Sequence, residues 1–206
     1  APVLGSLLNP SKSAASKIAS WDELSELLQT ALKQEPHAEQ MEIAVVAKGL
    51  AKAATMLAGK FGWIVTNVPY LGRGKQAQAM LDYCDDMHNE ARSDLATVFL
   101  DRCLDFCSAE GVVSAVMPQN WLFLGSYKNF RTRLLREDQW LQLARLGSGA
   151  FETISGEVVK AILLHVKKGS KTGLPSDLFG HTGIDHKMRV QDVVAYQSAK
   201  EKSAGL

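Results

Sequence analysis

Residues 61–75 read FGWIVTNVPYLGRGK, and the rest of the chain is organised around them. Gly62, Trp63, Ile64 and Val65 form an apolar, partly β-branched run of the kind that builds a buried strand. The run stops at Thr66-Asn67, and Pro69 allows neither a strand ladder nor a helix to continue. Tyr70 follows, then Gly72 and Gly74, which permit an open loop. An amide, a proline and an aromatic ring are thus expected together at the carboxyl end of a parallel-type strand. That end is where open α/β sheets bind ligands.

Residues 67–70, NVPY, resemble the NPPY motif of amino-methyltransferases that use S-adenosylmethionine. The chemistry accounts for the residue types. An exocyclic amine on adenine is a weak nucleophile because its lone pair is delocalised into the ring. Two acceptors that hold its N–H groups redirect that lone pair toward an incoming methyl group. By the resemblance, the Asn67 side chain is one acceptor and the backbone carbonyl of Val68 the other. Pro69 stiffens the turn, and Tyr70 stacks on the base, an arrangement that exposed bases favour. Val68 replaces the commoner proline, a small departure where a backbone carbonyl acts. A four-residue string is also what a plain structural turn requires, so context has to decide.

The chain has 206 residues, 46% of them hydrophobic, which suits one domain with a real core. A net charge of +1 carries no overall signature of nucleic-acid binding. No apolar run approaches the roughly 18 residues of a membrane span, and no signal peptide opens the chain. Cys84, Cys103 and Cys107 lack metal-ligand spacing and read as buried small apolar residues. A cytoplasmic protein without a metal site is expected.

In chain order, residues 1–19 are a connector, and Ser20 with Glu23 forms a capping-box pattern. That helix runs to Pro36, with Leu24, Leu27, Leu28 and Leu32 inward. A second spans about 37–58, with Met41, Val45, Leu50, Ala54 and Leu57 inward. Residues 71–75, LGRGK, fail as a phosphate-binding loop, because Pro69 stands at the first glycine position and Gln76 follows Lys75. Residues 76–87 read as helical. Ser93 is expected to cap a helix over 94–109, closed by Gly111. Strands follow at 112–117, 140–146 and 158–166. Pro118-Gln119-Asn120-Trp121 is a second proline-terminated strand end, expected on the same sheet edge as NVPY. The helix at 126–136 carries Lys128, Arg131, Arg133 and Arg136, which a solvated face explains better than phosphate contact. Beyond Lys167 a loosely structured tail is expected, where His181, Asp185 and His186 are not read as metal ligands.

The order of these pieces is more specific than any one of them. NVPY is followed by SDLATVFLDRCLDFCSAEGVVSAVMPQNWLFLGSYKNFRTRLL (93–135) and LARLGSGAFETISGEVVKAILLHV (143–166). Together they resemble the downstream half of γ-type adenine-N6 DNA methyltransferases. The likeness is greatest to the large enzymes of BREX phage-defence systems and their fused restriction–methylation relatives. It covers about residues 60–167. It implies an α/β, partial Rossmann-like S-adenosylmethionine-dependent methyltransferase fold, a mixed sheet flanked by helices. Residues 1–60 then form a helical connector, 61–167 the target-base half, and 168–206 the tail. The resemblance further makes Phe151 a second base-stacking ring opposite Tyr70, and gives Asn67 and Asp94 places beside the cofactor.

The family's glycine-rich cofactor turn, which lies upstream of NPPY, has no counterpart in residues 1–60. The S-adenosylmethionine site is therefore expected to be incomplete. The implied partners are double-stranded DNA and the missing upstream part of the enzyme or another chain, with no membrane. Two other readings remain open: a non-catalytic split module that binds DNA or a partner, and an amino-methyltransferase acting on RNA or protein glutamine.

Overall fold

The computed structural model describes residues 3–12, 23, 26, 30, 38–147, 160–169 and 189–192. The chain divides into two compact units, residues 1–60 and 61–206.

In the first unit, short 3-10 turns at Gly5–Leu7 and Pro10–Lys12 precede helix α1, Ala38–Ala58, which contacts the second turn. Glu23, Glu26 and Thr30 are helical, and the Thr30 hydroxyl donates to the Glu26 carbonyl at 2.9 Å. The remainder of the expected first helix lies outside the described residues. The inward face expected for α1 is corrected at Val45 and Leu50, whereas Ala54 and Leu57 are half-buried and the side chain of Met41 lies outside those described. Val45 is 69% and Leu50 63% exposed, while Ala51 is buried. Apolar residues occur on more than one face of this alanine-rich helix, so periodicity does not single out the packed one.

The second unit is built on one sheet. Its strands are β1 (Phe61–Asn67), β2 (Cys107–Pro118), β3 (Gln139–Gly147), β4 (Ala161–Lys167) and β5 (Arg189–Asp192), in the order β1-β2-β4-β3-β5. β1 pairs with β2 in parallel and β3 with β5 in parallel, whereas β4 is antiparallel to both β2 and β3. The mixed sheet expected from sequence is therefore present. β5 adds a strand within the segment read as a tail.

Helices α2 (Gln78–Met87), α3 (Leu95–Phe106) and α4 (Lys128–Glu137) belong to the same unit. α3 packs on β1 and β2, and α4 on β3. Strand periodicity sorts the side chains. Val113, Ala115 and Met117 face the same way as Ile162, Leu164 and Val166, and all are buried. Trp121 joins this core, its ring 5.7 Å from Phe130 and 5.8 Å from Trp140.

Three expectations are corrected here. β1 is the outermost of the described strands and is not buried: Trp63 is 70% and Val65 75% exposed. An apolar, β-branched run marks a strand, and only tertiary pairing says which neighbours it finds. Second, α3 ends at Phe106, so Cys107 begins β2 and Cys103 and Cys107 do not share one helix. All three cysteines are nonetheless buried and unbridged, and burial pushes the Cys103 thiol up to about 12. Third, Asp94 rather than Ser93 caps α3, its Oδ1 accepting from the Ala96 N–H at 2.8 Å.

Gly111 lies where the β1–β2 register slips between Phe61 and Trp63. A Cβ there would meet the carbonyl oxygens of Phe61 at 3.0 Å, Ser108 at 3.1 Å and Gly62 at 3.2 Å. Backbone oxygens cannot swing aside as a side chain can. Gly111→Ala is expected to cost about 1–3 kcal/mol, seen as a lower urea midpoint with an unchanged slope.

Candidate active site

The site begins where β1 and β2 end. Their parallel register pairs Asn67 with Val116, which puts Asn67 and Pro118 at the same edge of the sheet. After Pro69 the chain is pinned against the start of α3. The Arg73 N–H donates to the Ser93 carbonyl at 3.1 Å, and the Leu95 N–H donates to the Leu71 carbonyl at 3.0 Å. Gly72 and Asp94 form a bridge between those two bonds. Arg73 is itself clamped by Asp85, with guanidinium–carboxylate distances of 2.8 and 2.7 Å. The loop after NVPY is thereby held, and Tyr70 with it.

On the other side, β2 runs out through Pro118 into a 3-10 turn, Asn120–Leu122. The buried Trp121 anchors that turn, and Arg131 ties it down by donating to the carbonyls of Trp121 and Leu124 at 2.5 and 2.7 Å. Two residues of the basic helix are thus structural, since Arg133 is likewise engaged with Glu90 and Asp101. For these two, neither a solvated face nor a phosphate contact describes the role.

Between the two strand ends lies a cavity of about 460 Å³. Tyr70 and Asp94 wall one side, Pro118, Gln119 and Asn120 another, with Phe123, Leu124 and Lys160 completing it. The lining is mostly apolar with a few convergent polar groups, the pattern of a small-molecule site. The Tyr70 hydroxyl is enclosed without a hydrogen-bond partner among the described residues. Burial, and after it the Asp94 charge, raises the phenol pKa, so Tyr70 is a neutral ring at physiological pH.

Of the residues expected from sequence, Tyr70 and Asp94 meet in this cavity. Asn67 is exposed at the end of β1 and stands outside the described lining, while Val68 is buried and Pro69 exposed. Phe151 lies outside the described residues, as do His181, Asp185 and His186. Gln119, Asn120, Phe123, Leu124 and Lys160 were not anticipated as site residues. The proline-terminated end of β2 signals the first two, and no sequence feature signals Lys160. Among the described residues no group of acidic, histidine or cysteine side chains is placed to hold a metal ion, and no helix is long and apolar enough to cross a membrane.

Comparison with solved structures shows where this fold occurs. The chain is similar to the Type ISP restriction-modification enzyme LlaGI, solved as a nuclease-deletion mutant with a DNA substrate mimic. The TM-score is 0.51 at 12% identity, over 75% of this chain and 16% of that one. DrdV, solved in a DNA complex, gives 0.51 at 16% identity over 76% of this chain and 17% of that one. At such identities the likeness concerns the fold alone. It agrees with a mixed α/β sheet flanked by helices.

Sequence relatives are nearer. The adenine-specific methyltransferase PglX of Lacticaseibacillus casei (strain Zhang) is 30% identical over 128 residues, covering 61% of this chain. The adenine-specific methyltransferase BrxX of Escherichia coli O9:H4 (strain HS) is 30% identical over 129 residues, covering 63%. The matched part amounts to 10% and 11% of those two proteins. The family model for Eco57I restriction-modification methylases matches residues 7–151, a span that holds NVPY, the α3 cap and the whole PQNW turn. This chain belongs to the Eco57I restriction-modification methylase family.

Proposed function

We propose that this chain is the target-base half of a site-specific DNA adenine-N6 methyltransferase, serving restriction-modification or BREX-type phage defence. One observation carries the reading: Tyr70 of the NVPY segment and the end of β2 wall a common cavity at the carboxyl edge of parallel strands. The substrate is an adenine flipped out of double-stranded DNA. Tyr70 offers its ring face to the base, with Phe151 proposed as the opposing ring. The Asn67 side chain and the Val68 carbonyl accept the two amine hydrogens, turning the nitrogen lone pair toward the methyl donor. Methylation then needs only alignment of amine and methyl group, with no covalent enzyme intermediate.

S-adenosylmethionine supplies an electrophilic methyl group when bound. Asn67 and Asp94 are the residues here proposed to face it, and they make only part of a site. No strand end with a glycine-rich turn stands beside β1 among the described residues.

β1 suggests where the remaining part docks. Its outer edge pairs with no described strand, and Trp63 and Val65 are exposed on one face. Trp63 is pre-set there, its indole N–H donating to the Ser114 hydroxyl at 3.1 Å. An unpaired apolar edge with no charge or proline to blunt it invites strand addition. The proposed occupant is a parallel strand of the polypeptide that carries the cofactor-binding half.

The test is made in two steps. Calorimetric titration of S-adenosylmethionine into these 206 residues is expected to show no binding. Supplying the cofactor half, in cis or in trans, is expected to produce both cofactor binding and N6-methyladenine in DNA. Reconstitution that binds cofactor yet leaves DNA adenine unmodified would overturn the assignment.

A further inference from the structure

We propose that Gln119 is the specificity-determining residue of the cavity, its carboxamide donating an N–H to a ring nitrogen of the bound base. The inference rests on the base-pocket reading above.

Gln119 is held at the cavity wall by its backbone. It follows Pro118, the last paired residue of β2, and its own N–H donates to the Lys160 carbonyl at 2.8 Å. The β2–β4 ladder thus extends one step and fixes where the side chain starts. The side chain's end is not fixed in the same way. Its Oε1 is enclosed without a hydrogen-bond partner among the described residues. An enclosed amide oxygen without a donor is unfavourable, and rotating the carboxamide into the cavity breaks no bond of that oxygen among the described residues.

Asn120 and Lys160 also line the cavity and carry donors, but both are exposed to solvent, whereas Gln119 is half-buried. Tyr70, Phe123, Leu124 and Pro118 present faces and apolar edges. Stacking on them is tolerant of sequence, because every base has a π-face. The Asp94 carboxylate accepts and cannot donate when ionised. With Asn67 and the Val68 carbonyl taking the amine hydrogens, the lone pair of a ring nitrogen remains to be read. That lone pair, on N1 beside the amine, needs a donor, and a glutamine amide N–H supplies one. Inosine carries a hydrogen on the ring nitrogen beside its carbonyl, so a donor would there meet a donor.

The experiment titrates adenosine and inosine into the isotope-labelled full chain and follows Tyr70 ring and Gln119 side-chain resonances. Adenosine is expected to shift both and to bind about fivefold or more tightly than inosine. Gln119→Met, similar in length but without a donor, is expected to weaken adenosine about 5–10-fold and to erase the preference over inosine. Wild-type protein with 1-deazaadenosine and 7-deazaadenosine gives a second measurement that needs no variant to fold. 1-Deazaadenosine is expected to bind as weakly as adenosine binds Gln119→Met, and 7-deazaadenosine about as tightly as adenosine itself. If adenosine shifts Tyr70 while Gln119→Met binds normally, or weakens both nucleosides equally, the role of Gln119 is overturned and the base pocket stands. If neither nucleoside shifts Tyr70, the base-pocket reading falls and the role of Gln119 with it.

Discussion

Replacing Asn67 by alanine, in an enzyme reconstituted to activity, is expected to lower turnover about 100-fold or more while changing base affinity only a few-fold. Asn67 ends β1 at the sheet edge and is exposed, outside the described wall of the Tyr70 cavity. Its proposed role is to orient the amine during transfer, so its loss acts on the chemical step. Tyr70→Ala should behave in the opposite sense. Removing the ring forfeits stacking of about 1–3 kcal/mol and weakens capture of the flipped base. Tyr70→Phe keeps the face, and its hydroxyl has no partner among the described residues, so it is expected to retain activity. Single-turnover rates and base-analogue affinities, measured on the same preparations, separate the two effects. A folded Asn67→Ala enzyme with near-normal turnover would remove the amine-orienting role from the motif.

The second large effect concerns stability and lies away from the cavity. Arg133 on α4 donates to Asp101 of α3 at 2.6 Å and to Glu90 at 2.7 Å. His88, almost wholly buried, sets its Nδ1 2.7 Å from the other oxygen of Asp101. Burial pushes the Asp101 carboxyl upward, but the His88 hydrogen bond and the Arg133 charge outweigh it and hold the group below its ordinary value. Arg133→Met would leave Asp101 with one partner in a poorly solvated site. Loss of one member of such a pair costs about 3 kcal/mol, or roughly 6–12 °C in melting temperature for a chain of this size.

The sign of the pH dependence follows. A depressed carboxyl pKa contributes stability above the ordinary aspartate value of 3.8, and that stability is lost as pH falls through the lower folded value. The wild-type advantage over Arg133→Met is therefore expected to be full near neutrality and to shrink in acid. A variant that melts with the wild type at pH 7 would show the network to be energetically idle.

The strand ends that frame the cavity, with Tyr70 and Asp94, were legible in the chain because their signals are local, whereas Phe123, Leu124 and Lys160 were not. A proline directly after a β-branched run ends a strand whatever the tertiary context, so NVPY and PQNW marked two strand ends. Their parallel register then placed Asn67 and Pro118 at one edge, as expected. The α/β class, the strands expected over 62–66, 112–117, 140–146 and 158–166, and the helices between them came from periodicity and breakers in the same way. The observed strands have shifted ends, with β2 starting at Cys107 inside the helix expected over 94–109.

Only the tertiary structure decided what depends on partners distant in sequence. The exposure of β1 is one case: Trp63 and Val65 have the composition of a core strand, yet both are exposed on the outermost described strand. The packed face of α1 is another, since alanines beside valines and leucines leave several faces apolar. Arg131 and Arg133 read as surface charge, yet they cap carbonyls and neutralise carboxylates brought near by folding. Gln119 and Lys160 stand 41 positions apart and join one wall through a single backbone hydrogen bond. Local chemistry writes strand ends and caps into the sequence, whereas a cavity is a relation between chain segments and exists only once they meet.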